Sequence, residues 1–361
     1  MQDRTDQLPP LPSNEKQRRP QAPAKVTLQT IADYLGVSTA TVSLALRDSP
    51  LVADATRVRV KHSASELGYI YNRRAASLRT SRSGIIGVVV PDIMNPFFAE
   101  ILLGIEDELG LSRHTFLLCN HRDDLAVQKH FVETLLQFGA DGVILSPAIG
   151  TDADMLSAIE DSGLPVVQVA RWVKGSRVPV YRGDDKKGAF MVTRHLIELG
   201  HRRIAFIGGR RGTSTGQDRR EGCMAALQQA EIEPVPELQT GAERTRKAGY
   251  DVVRELFAGK PNTATAIVCF NDLLAIGAMS GLRSLGLEPG QAIAVTGYDD
   301  IAEAEISAPP LTTVWNGQQE AGRLAARAML EILAGTPPAP EESGLIVPQL
   351  RIRQSSCPPP G

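Results

Sequence analysis

Polar side chains recur directly after the strand-like segments of this 361-residue chain. Carboxylates, amides and a guanidinium group stand there beside aromatic rings. This chemistry suits a polyol, a sugar or a nucleoside, which needs paired hydrogen bonds and a stacking surface. Because open parallel sheets bind ligands beyond the carboxyl ends of their strands, we expect these side chains to form one site. The candidate residues are Phe97, Phe98, Ser146, Arg171, Asn271, Asp272 and Asp299.

Structural roles are the alternative for each of these residues taken singly. Asn271 and Asp272 stand where a helix begins, so helix capping by itself accounts for either one. Phe97 and Phe98 have packing of the following helix as their alternative. Capping is a poor explanation for polar groups after several successive strands, and the complete set therefore favours a ligand site.

Motifs typical of catalysis or metal binding are missing from the sequence. The segment Gly208–Gly212 follows a strand but lacks the GxGxxG spacing and the Lys-Ser/Thr pair of phosphate-binding loops. The six histidines form no HExxH pattern, no serine lies in a GxSxG elbow, and the four cysteines form no CxxC pair. We therefore expect no catalytic residue, no metal and no cofactor, and predict that the protein is not an enzyme.

The net charge of −2 conceals a basic segment near the N-terminus. Residues 25–83 contain nine basic and four acidic side chains, a net charge of +5, and residues 1–24 add +1. The remainder of the chain therefore carries −8. A basic head on an acidic body indicates that the head makes selective contact with phosphates, as nucleic-acid binding requires.

The basic segment contains three short helical patterns. The apolar residues from Leu28 to Leu35 share one face of a first helix, with Thr27 placed to cap it and Gly36 to end it. A third helix is predicted from about Asp54 to Leu67. The tight turn at Gly36 to Ser38 joins the first two helices as in a helix-turn-helix. An ordinary three-helix module without a DNA role is the alternative.

The second helix, which begins near Ser38 or Thr39, has the face that fits a DNA groove. A turn of 100° per residue directs Val42, Ala45 and Leu46 toward the core. The opposite side is short and polar or small, and fits a major groove about 12 Å wide. That side contains Ala40, Ser43, Leu44 and Arg47.

The elements beyond residue 83 alternate between strands and helices. Apolar runs separated by amphipathic helical stretches predict parallel sheets in an α/β body. Residues 1–24 are polar and rich in proline, and are predicted to be a disordered leader. The predicted strands are Ile85–Val90, Thr115–Cys119, Val143–Leu145, Val166–Val169, Ile204–Ile207, Ala266–Cys269 and Ile293–Thr296.

The segment Leu28–Leu46 resembles the helix-turn-helix of the lac repressor/galactose repressor family, and Val52–Tyr69 resembles the third helix of that family. The resemblance implies that Thr39, Ala40 and Leu44 contact bases, with Thr41 and Ser43 near phosphates. Leu44 stands where the family often has arginine or another polar residue. Hydrogen-bonded base reading by this side chain is therefore excluded, and apolar contact with a thymine methyl group is the remaining option.

A short basic segment, Asn72–Arg79, follows the three helices. It has a capping asparagine and three arginines, but is too short to be stable as an isolated helix. It is similar to the family's hinge helix, which folds when two protomers meet on DNA and inserts a leucine into the minor groove. Leu78 matches that leucine. A solvated basic linker is the alternative.

Residues 84 to about 356 resemble the effector domain of the same family, which is similar to the periplasmic sugar-binding proteins. The segments that carry this resemblance include His195–Ile204 and Gly297–Asp300. It implies two α/β subdomains around a cleft. The residues that correspond in position to cleft residues are Phe98, Arg171, Arg219, Asn271 and Asp299.

These observations predict a cytoplasmic transcription regulator, by family default a repressor, that binds a palindromic operator as a homodimer and is switched by a sugar-like effector. No membrane span is apparent. One alternative is a solute-binding protein that serves a transporter, opposed by the absent export signal and the basic head. A sugar-active α/β enzyme is another, opposed by the missing catalytic residues. The expected domains are 1–24 (leader), 25–70 (DNA-binding), 71–83 (hinge helix and linker), 84–356 (effector-binding and dimerisation) and 357–361 (tail).

Overall fold

The computed structural model describes residues 26–69, 82–112, 114–208, 212–257, 259, 264–338 and 344–359. The chain divides into two compact units, residues 1–80 and 81–361, whose described parts are here named the headpiece and the body. The predicted leader and the hinge-helix residues Asn72 and Leu78 lie outside the described residues. Among the residues described, none of the helices combines the length and the apolar character needed to cross a bilayer.

Three helices form the headpiece: α1 (Leu28–Leu35), α2 (Thr39–Leu46) and α3 (Asp54–Glu66). The Thr27 side chain accepts a hydrogen bond from the Thr30 backbone amide, and Gly36 ends α1 in the left-handed region with φ 66°. The Ser38 side chain accepts from the Thr41 amide and so caps α2. The cap at Thr27, the helix end at Gly36 and the start of α2 next to Ser38 are confirmed as predicted. The core shared by the three helices contains Ile31, Ala32, Val42, Ala45, Val52, Val60 and Ala64.

The body contains twelve strands among its described residues. They are β1 (Ile85–Val90), β2 (Thr115–Asn120), β3 (Gly142–Leu145), β4 (Val166–Val169), β5 (Val180–Gly183), β6 (Ile204–Gly208), β7 (Gln239–Gly241), β8 (Ala266–Cys269), β9 (Ala294–Thr296), β10 (Thr313–Trp315), β11 (Leu345–Ile346) and β12 (Gln349–Arg351).

Nine α-helices lie in the described part of the body. They are α4 (Pro96–Leu111), α5 (Leu125–Phe138), α6 (Ala153–Asp161), α7 (Asp185–Glu198), α8 (Ser214–Gln229), α9 (Arg246–Phe257), α10 (Asp272–Ser284), α11 (Ala302–Ile306) and α12 (Gln318–Ala334).

The strands form two parallel sheets, each with its own hydrophobic core. The first has the order β11-β5-β4-β3-β1-β2 and, with α4, α5, α6 and α12, makes the N-lobe. The second has the order β7-β6-β8-β9 and, with α7 to α11 and the antiparallel pair of β10 and β12, makes the C-lobe. The chain crosses between the lobes near residues 184, 317 and 348, so neither lobe is a continuous segment.

All seven predicted strands are present, with each end within one residue of its expected position, and they pair in parallel as predicted. The five strands that were not predicted are two to four residues long: β5, β7, β10, β11 and β12. Such short segments contain too few apolar residues to show a periodicity, and it is pairing with a distant neighbour that makes them strands.

Candidate functional site

A small cavity lies between the two lobes, at the carboxyl ends of strands from both sheets. Its volume is about 20 Å³, room for roughly one water molecule. The lobes are therefore closed on each other, and a ligand of sugar size enters only when they separate. The lining residues are Asn95, Phe97, Phe98, Ala170, Arg171, Thr215, Arg219, Arg244, Phe270 and Asp299.

Arg219, in the second turn of α8, is held by ion pairs from two directions. Its Nε lies 2.7 Å from Asp185 Oδ1 and its Nη2 lies 3.1 Å from Asp299 Oδ1. Nη1 donates a hydrogen bond of 2.6 Å to the carbonyl oxygen of Phe270. The guanidinium carbon also lies 3.7 Å from the ring centroid of Tyr298 and 4.5 Å from that of Phe270. Contacts within the protein thus fix the orientation of this buried cation.

The carboxylates beside Arg219 have unusual proton affinities. Burial raises the pKa of Asp299 to about 7, even though the neighbouring guanidinium favours the charged form. Burial also raises the pKa of Asp185, again against the effect of Arg219. Asp299 therefore changes protonation state near neutral pH, and its side chain is an acceptor or a donor depending on that state.

A second charged cluster surrounds Asp123, and two of its members, Arg171 and Arg244, line the cavity. This residue follows β2 and has a left-handed backbone, with φ 62°. Arg171 pairs with it through Nη1 and Nη2, and Arg244 Nη2 lies 2.7 Å from Asp123 Oδ2. Burial opposes the ionisation of Asp123, but the two guanidinium groups outweigh this effect and lower its pKa to about 2. Asp123 is therefore a carboxylate at all ordinary pH values.

Polar contacts join the closed lobes at two places. The Asp123–Arg244 ion pair links the N-lobe loop after β2 to the C-lobe loop after β7. Trp172, which follows β4, donates from its backbone amide to Ser214 Oγ and from Nε1 to Asp218 Oδ2, each at 3.0 Å. These contacts break when the lobes separate, so ligand entry and lobe motion are coupled.

Five of the eight predicted ligand-site residues line the cavity: Phe97, Phe98, Arg171, Arg219 and Asp299. Ser146 and Asn271 are fully buried and do not line it in this closed form. Asn271 Oδ1 caps α10, which bears out the capping role proposed for it. Among the residues described, Ser146 Oγ and Asn271 Nδ2 have no hydrogen-bond partner.

Asp272 requires a correction. Its Oδ1 accepts a hydrogen bond from the Thr313 hydroxyl, and its Oδ2 accepts from the Ile301 backbone amide. Both oxygens thus support the start of β10 and the approach to α11, and the residue is fully buried away from the cavity lining. Its position after a predicted strand reflects this structural role, so we do not retain Asp272 as a ligand residue.

Several charged residues of the cleft were missed by the sequence reasoning. Asp185 follows β5 and Arg244 follows β7, and neither strand showed an apolar pattern. Asp123 stands shortly after the predicted strand β2, so the rule used for the other candidates would have found it. Thr215 lies in the first turn of α8, where the sequence gives no ligand signal.

The predicted DNA-reading residues of α2 differ in exposure. Thr39, Ala40 and Arg47 are exposed, while Thr41 and Ser43 are partly buried. Leu44 is also partly buried and packs against the headpiece core, so the side of α2 assigned to DNA is not wholly open to solvent. Arg47 Nε donates to the Ser43 carbonyl oxygen at 3.0 Å, which holds the arginine at the end of the helix.

A two-lobed body closing over a polar cavity, in one chain with a basic helix-turn-helix, defines the class of ligand-responsive DNA-binding regulators. Comparison with known families agrees. Residues 27–72 match the bacterial regulatory proteins of the lacI family, and residues 83–348 match the periplasmic binding proteins and sugar-binding domain of that family. The chain belongs to the LacI family of transcription regulators.

Two curated relatives are similar to this chain over most of their length. The HTH-type transcriptional repressor PurR of Aliivibrio fischeri (strain MJ11) is 32% identical over 307 residues, which cover 84% of this chain and 91% of that protein. The maltose regulon regulatory protein MalI of Escherichia coli (strain K12) is 32% identical over 289 residues, which cover 80% of this chain and 83% of that protein. Both relatives are transcription regulators rather than enzymes.

Two solved structures are also similar. The transcriptional regulator CelR in complex with cellobiose superposes with a TM-score of 0.68 at 30% identity, covering 91% of this chain and 99% of that one. The lac repressor dimer bound to operator and the anti-inducer ONPF has a TM-score of 0.81 at 24% identity, covering 92% and 100%, and this likeness shows the shared fold.

Proposed function

We propose that this protein represses transcription as a homodimer on a palindromic operator and that a small sugar-like effector, bound between the lobes, controls its hold on DNA. The observation that carries this proposal is the convergence of charged, hydroxyl and aromatic side chains from both lobes on one cavity. Stacking faces beside paired hydrogen-bonding groups suit a polyol ring. The cellobiose bound to the similar regulator CelR supports the sugar class.

Effector control follows from the closed cleft. A ligand that occupies the cleft binds the open and closed arrangements of the lobes with different affinities, because its partners come from both lobes. It therefore shifts the balance between them, and operator affinity shifts with it if DNA binding prefers one arrangement. We propose Phe97, Phe98, Arg171, Arg219 and Asp299 as effector contacts. Ser146 and Asn271 are proposed as further contacts, since Ser146 Oγ and Asn271 Nδ2 have no hydrogen-bond partner among the described residues.

Operator binding is assigned to α2. Thr39, Ala40 and Leu44 contact base edges, Thr41 and Ser43 contact phosphates, and Arg47 adds positive charge at the end of the helix. Asn72 and Leu78, which the family resemblance places in a hinge helix, complete the proposed interface with the minor groove. A protein with this task acts in the cytoplasm, where the DNA is, and needs no catalytic residue.

In the first test, the full-length protein is used to select the sequences that it binds from a pool of random duplex DNA. We expect palindromes, and a thermal-shift screen of polyols should find a compound that raises the melting temperature. That same compound should change operator affinity in a gel-shift titration. Selection of sequences without two-fold symmetry, or a stabilising polyol that leaves operator affinity unchanged, would contradict the proposal.

A paired variant locates the effector in the cleft. Thr215→Val keeps the shape of the side chain but removes a hydroxyl from the cavity wall, so effector affinity should fall about 3- to 30-fold. Operator affinity without effector should remain as in the wild type. Thr134→Val on α5, whose hydroxyl bonds only to the His130 carbonyl oxygen among the described residues, is the matched control and should leave both affinities unchanged.

A further inference from the structure

The two charged clusters of the cleft differ in the balance of their charges. Arg219 stands between two carboxylates, those of Asp185 and Asp299. Around Asp123 the ratio is reversed, since two guanidinium groups share one carboxylate. Burial lowers the pKa of His121, which lies beside this second cluster, and so favours the neutral form of its ring. The end of the cavity formed by Arg171 and Arg244 therefore has an excess of positive charge.

Most N–H groups of the Arg244 guanidinium form no hydrogen bond with the described residues. Its side chain is only 14% exposed, yet a guanidinium group has five N–H donors. Within the described part of the chain, its hydrogen bond to Asp123 is the one that it makes. The unbonded nitrogens of Arg244 are not among the fully buried polar atoms without a partner, so solvent reaches them, and an anion of the ligand can take the place of that solvent. Arg244 lines the cavity, whereas Asp123 does not, so the side of Arg244 that lacks partners adjoins the space for a ligand.

Separation of the lobes removes Asp123, the one hydrogen-bond partner among the described residues, from Arg244. Asp123 belongs to the N-lobe and Arg244 to the C-lobe, so separation of the lobes leaves Asp123 with Arg171 and leaves Arg244 without a carboxylate. An anion that arrives with the ligand restores a charged bond to Arg244. A neutral sugar cannot do so, because hydroxyl groups form weaker hydrogen bonds with a guanidinium than a carboxylate or a phosphate does.

We propose that the effector is a polyol with one anionic group, a sugar acid or a sugar phosphate, and that Arg244 and Arg171 bind this group. The proposal rests on the effector site assigned above. Asp123 pairs with Arg244 in the closed cleft, and the anionic group of the ligand displaces Asp123 from this ion pair as the lobes separate. The hydroxyl groups of the polyol face Thr215, Asp299 and Arg219 at the other end of the cavity.

The first experiment compares related ligands on the full-length protein by isothermal titration calorimetry. Glucose, galactose and mannose are each tested beside their aldonate, their uronate and their 6-phosphate. At least one anionic member should bind 10-fold or more tightly than its neutral parent, and carboxylate and phosphate binders are distinguished directly. A neutral sugar that binds as tightly as its anions overturns this inference but leaves the sugar-like effector standing. Failure of the whole panel to bind overturns both.

The second experiment uses variants of the cluster with the best anionic binder. Arg244→Gln should reduce the affinity for the anionic binder at least 10-fold and the affinity for the neutral parent by a clearly smaller factor, so that the ratio of the two affinities falls. Arg246→Gln, an exposed arginine two residues away that pairs with Glu303, is the matched control and should bind like the wild type.

Asp123→Asn provides a test of opposite sign. It removes the internal competitor for Arg244, so we expect the anion to bind several-fold more tightly than to the wild type. If Asp123 instead accepts a hydrogen bond from a ligand hydroxyl, the same variant weakens binding, and that outcome would refute the displacement. The melting temperature and operator affinity of each variant show whether it is folded.

Discussion

At the scale of single residues, contacts within the body fix the orientation of the charged side chains of the cleft. Arg219 is bound by two carboxylates, a backbone carbonyl oxygen and two aromatic rings of the protein itself. Such an arrangement holds the remaining N–H groups of the guanidinium in a fixed direction, which lowers the entropy cost of binding a ligand. The family resemblance pointed to Arg219, but its acidic partners became apparent only in the folded chain.

Asp299 should make the stability of the body depend on pH. Its pKa is about 7 in the folded protein, well above the ordinary value of 3.8, because it is buried. Between these two values the folded state binds more protons than the unfolded state, so this group makes the free energy of unfolding fall as the pH rises from about 4 to 7. In Asp299→Asn this contribution is absent. Urea unfolding at several pH values should therefore show a smaller loss of stability for the variant over this range.

Asp251→Asn, a change at a carboxylate that is 52% exposed, is the control and should follow the wild type. Equal pH dependence of wild type and Asp299→Asn would show that Asp299 does not take up a proton on folding in this range.

At the scale of elements, the close crossing of α4 and α12 builds the N-lobe beside the cavity. A methyl group at Gly104 would overlap the carbonyl oxygen of Gln319, and one at Gly322 would overlap that of Ile101. The two helices therefore touch backbone to backbone at these glycines. Gly110, near the end of the same helix α4, has open space around the position of a methyl group.

The two glycines of α4 should respond to alanine in opposite directions. Gly104→Ala forces the helices apart and should lower the free energy of unfolding by about 1–3 kcal/mol. Gly110→Ala adds helix propensity without a clash and should raise it by about 0.5–1 kcal/mol. Thermal or urea unfolding of the full chain measures both. A neutral or stabilising Gly104→Ala would show that the helices do not cross as closely as described.

At the scale of the whole molecule, the edge of the N-lobe sheet is a candidate surface for the proposed homodimer. Strand β2 is at that edge, and its residues Leu117 and Leu118 are 38% and 42% exposed. Leu103 and Leu111 of α4 are also exposed. An edge strand with exposed leucines invites pairing unless a partner covers it. A second copy of the chain is the partner that a palindromic operator requires.

Leu118→Lys should therefore weaken the dimer. A buried lysine at a two-fold interface faces its own copy and repels it, so sedimentation velocity should show monomers at concentrations where the wild type is dimeric. Operator affinity should fall with it, because two half-sites are no longer bound together. Val127→Lys, a similarly exposed apolar residue on α5, should remain dimeric. A fully dimeric Leu118→Lys would place the interface elsewhere.

The sequence by itself determined what depends on neighbouring residues. Caps such as Thr27 and Ser38 act over three residues, and apolar runs such as β1 and β8 are read directly, so the helix ends of the headpiece and seven strands were predicted. The same short-range reasoning identified five residues that line the cavity, because these residues follow predicted strands or lie in a recognised motif. It assigned Asp272 to the ligand site, because the sequence does not show whether a polar residue after a strand faces a ligand or a backbone amide.

Only the tertiary structure decided which charges meet. Arg219 pairs with Asp185 and Asp299, which are 34 and 80 residues away, and Arg244 pairs with Asp123 across 121 residues and two lobes. The short strands β5 and β7, which deliver Asp185 and Arg244, exist because they pair with distant neighbours. Contacts of this kind depend on how whole sheets are placed, and no local pattern of residue types encodes that placement. The closed cleft and the uneven distribution of its charges are therefore properties of the folded chain.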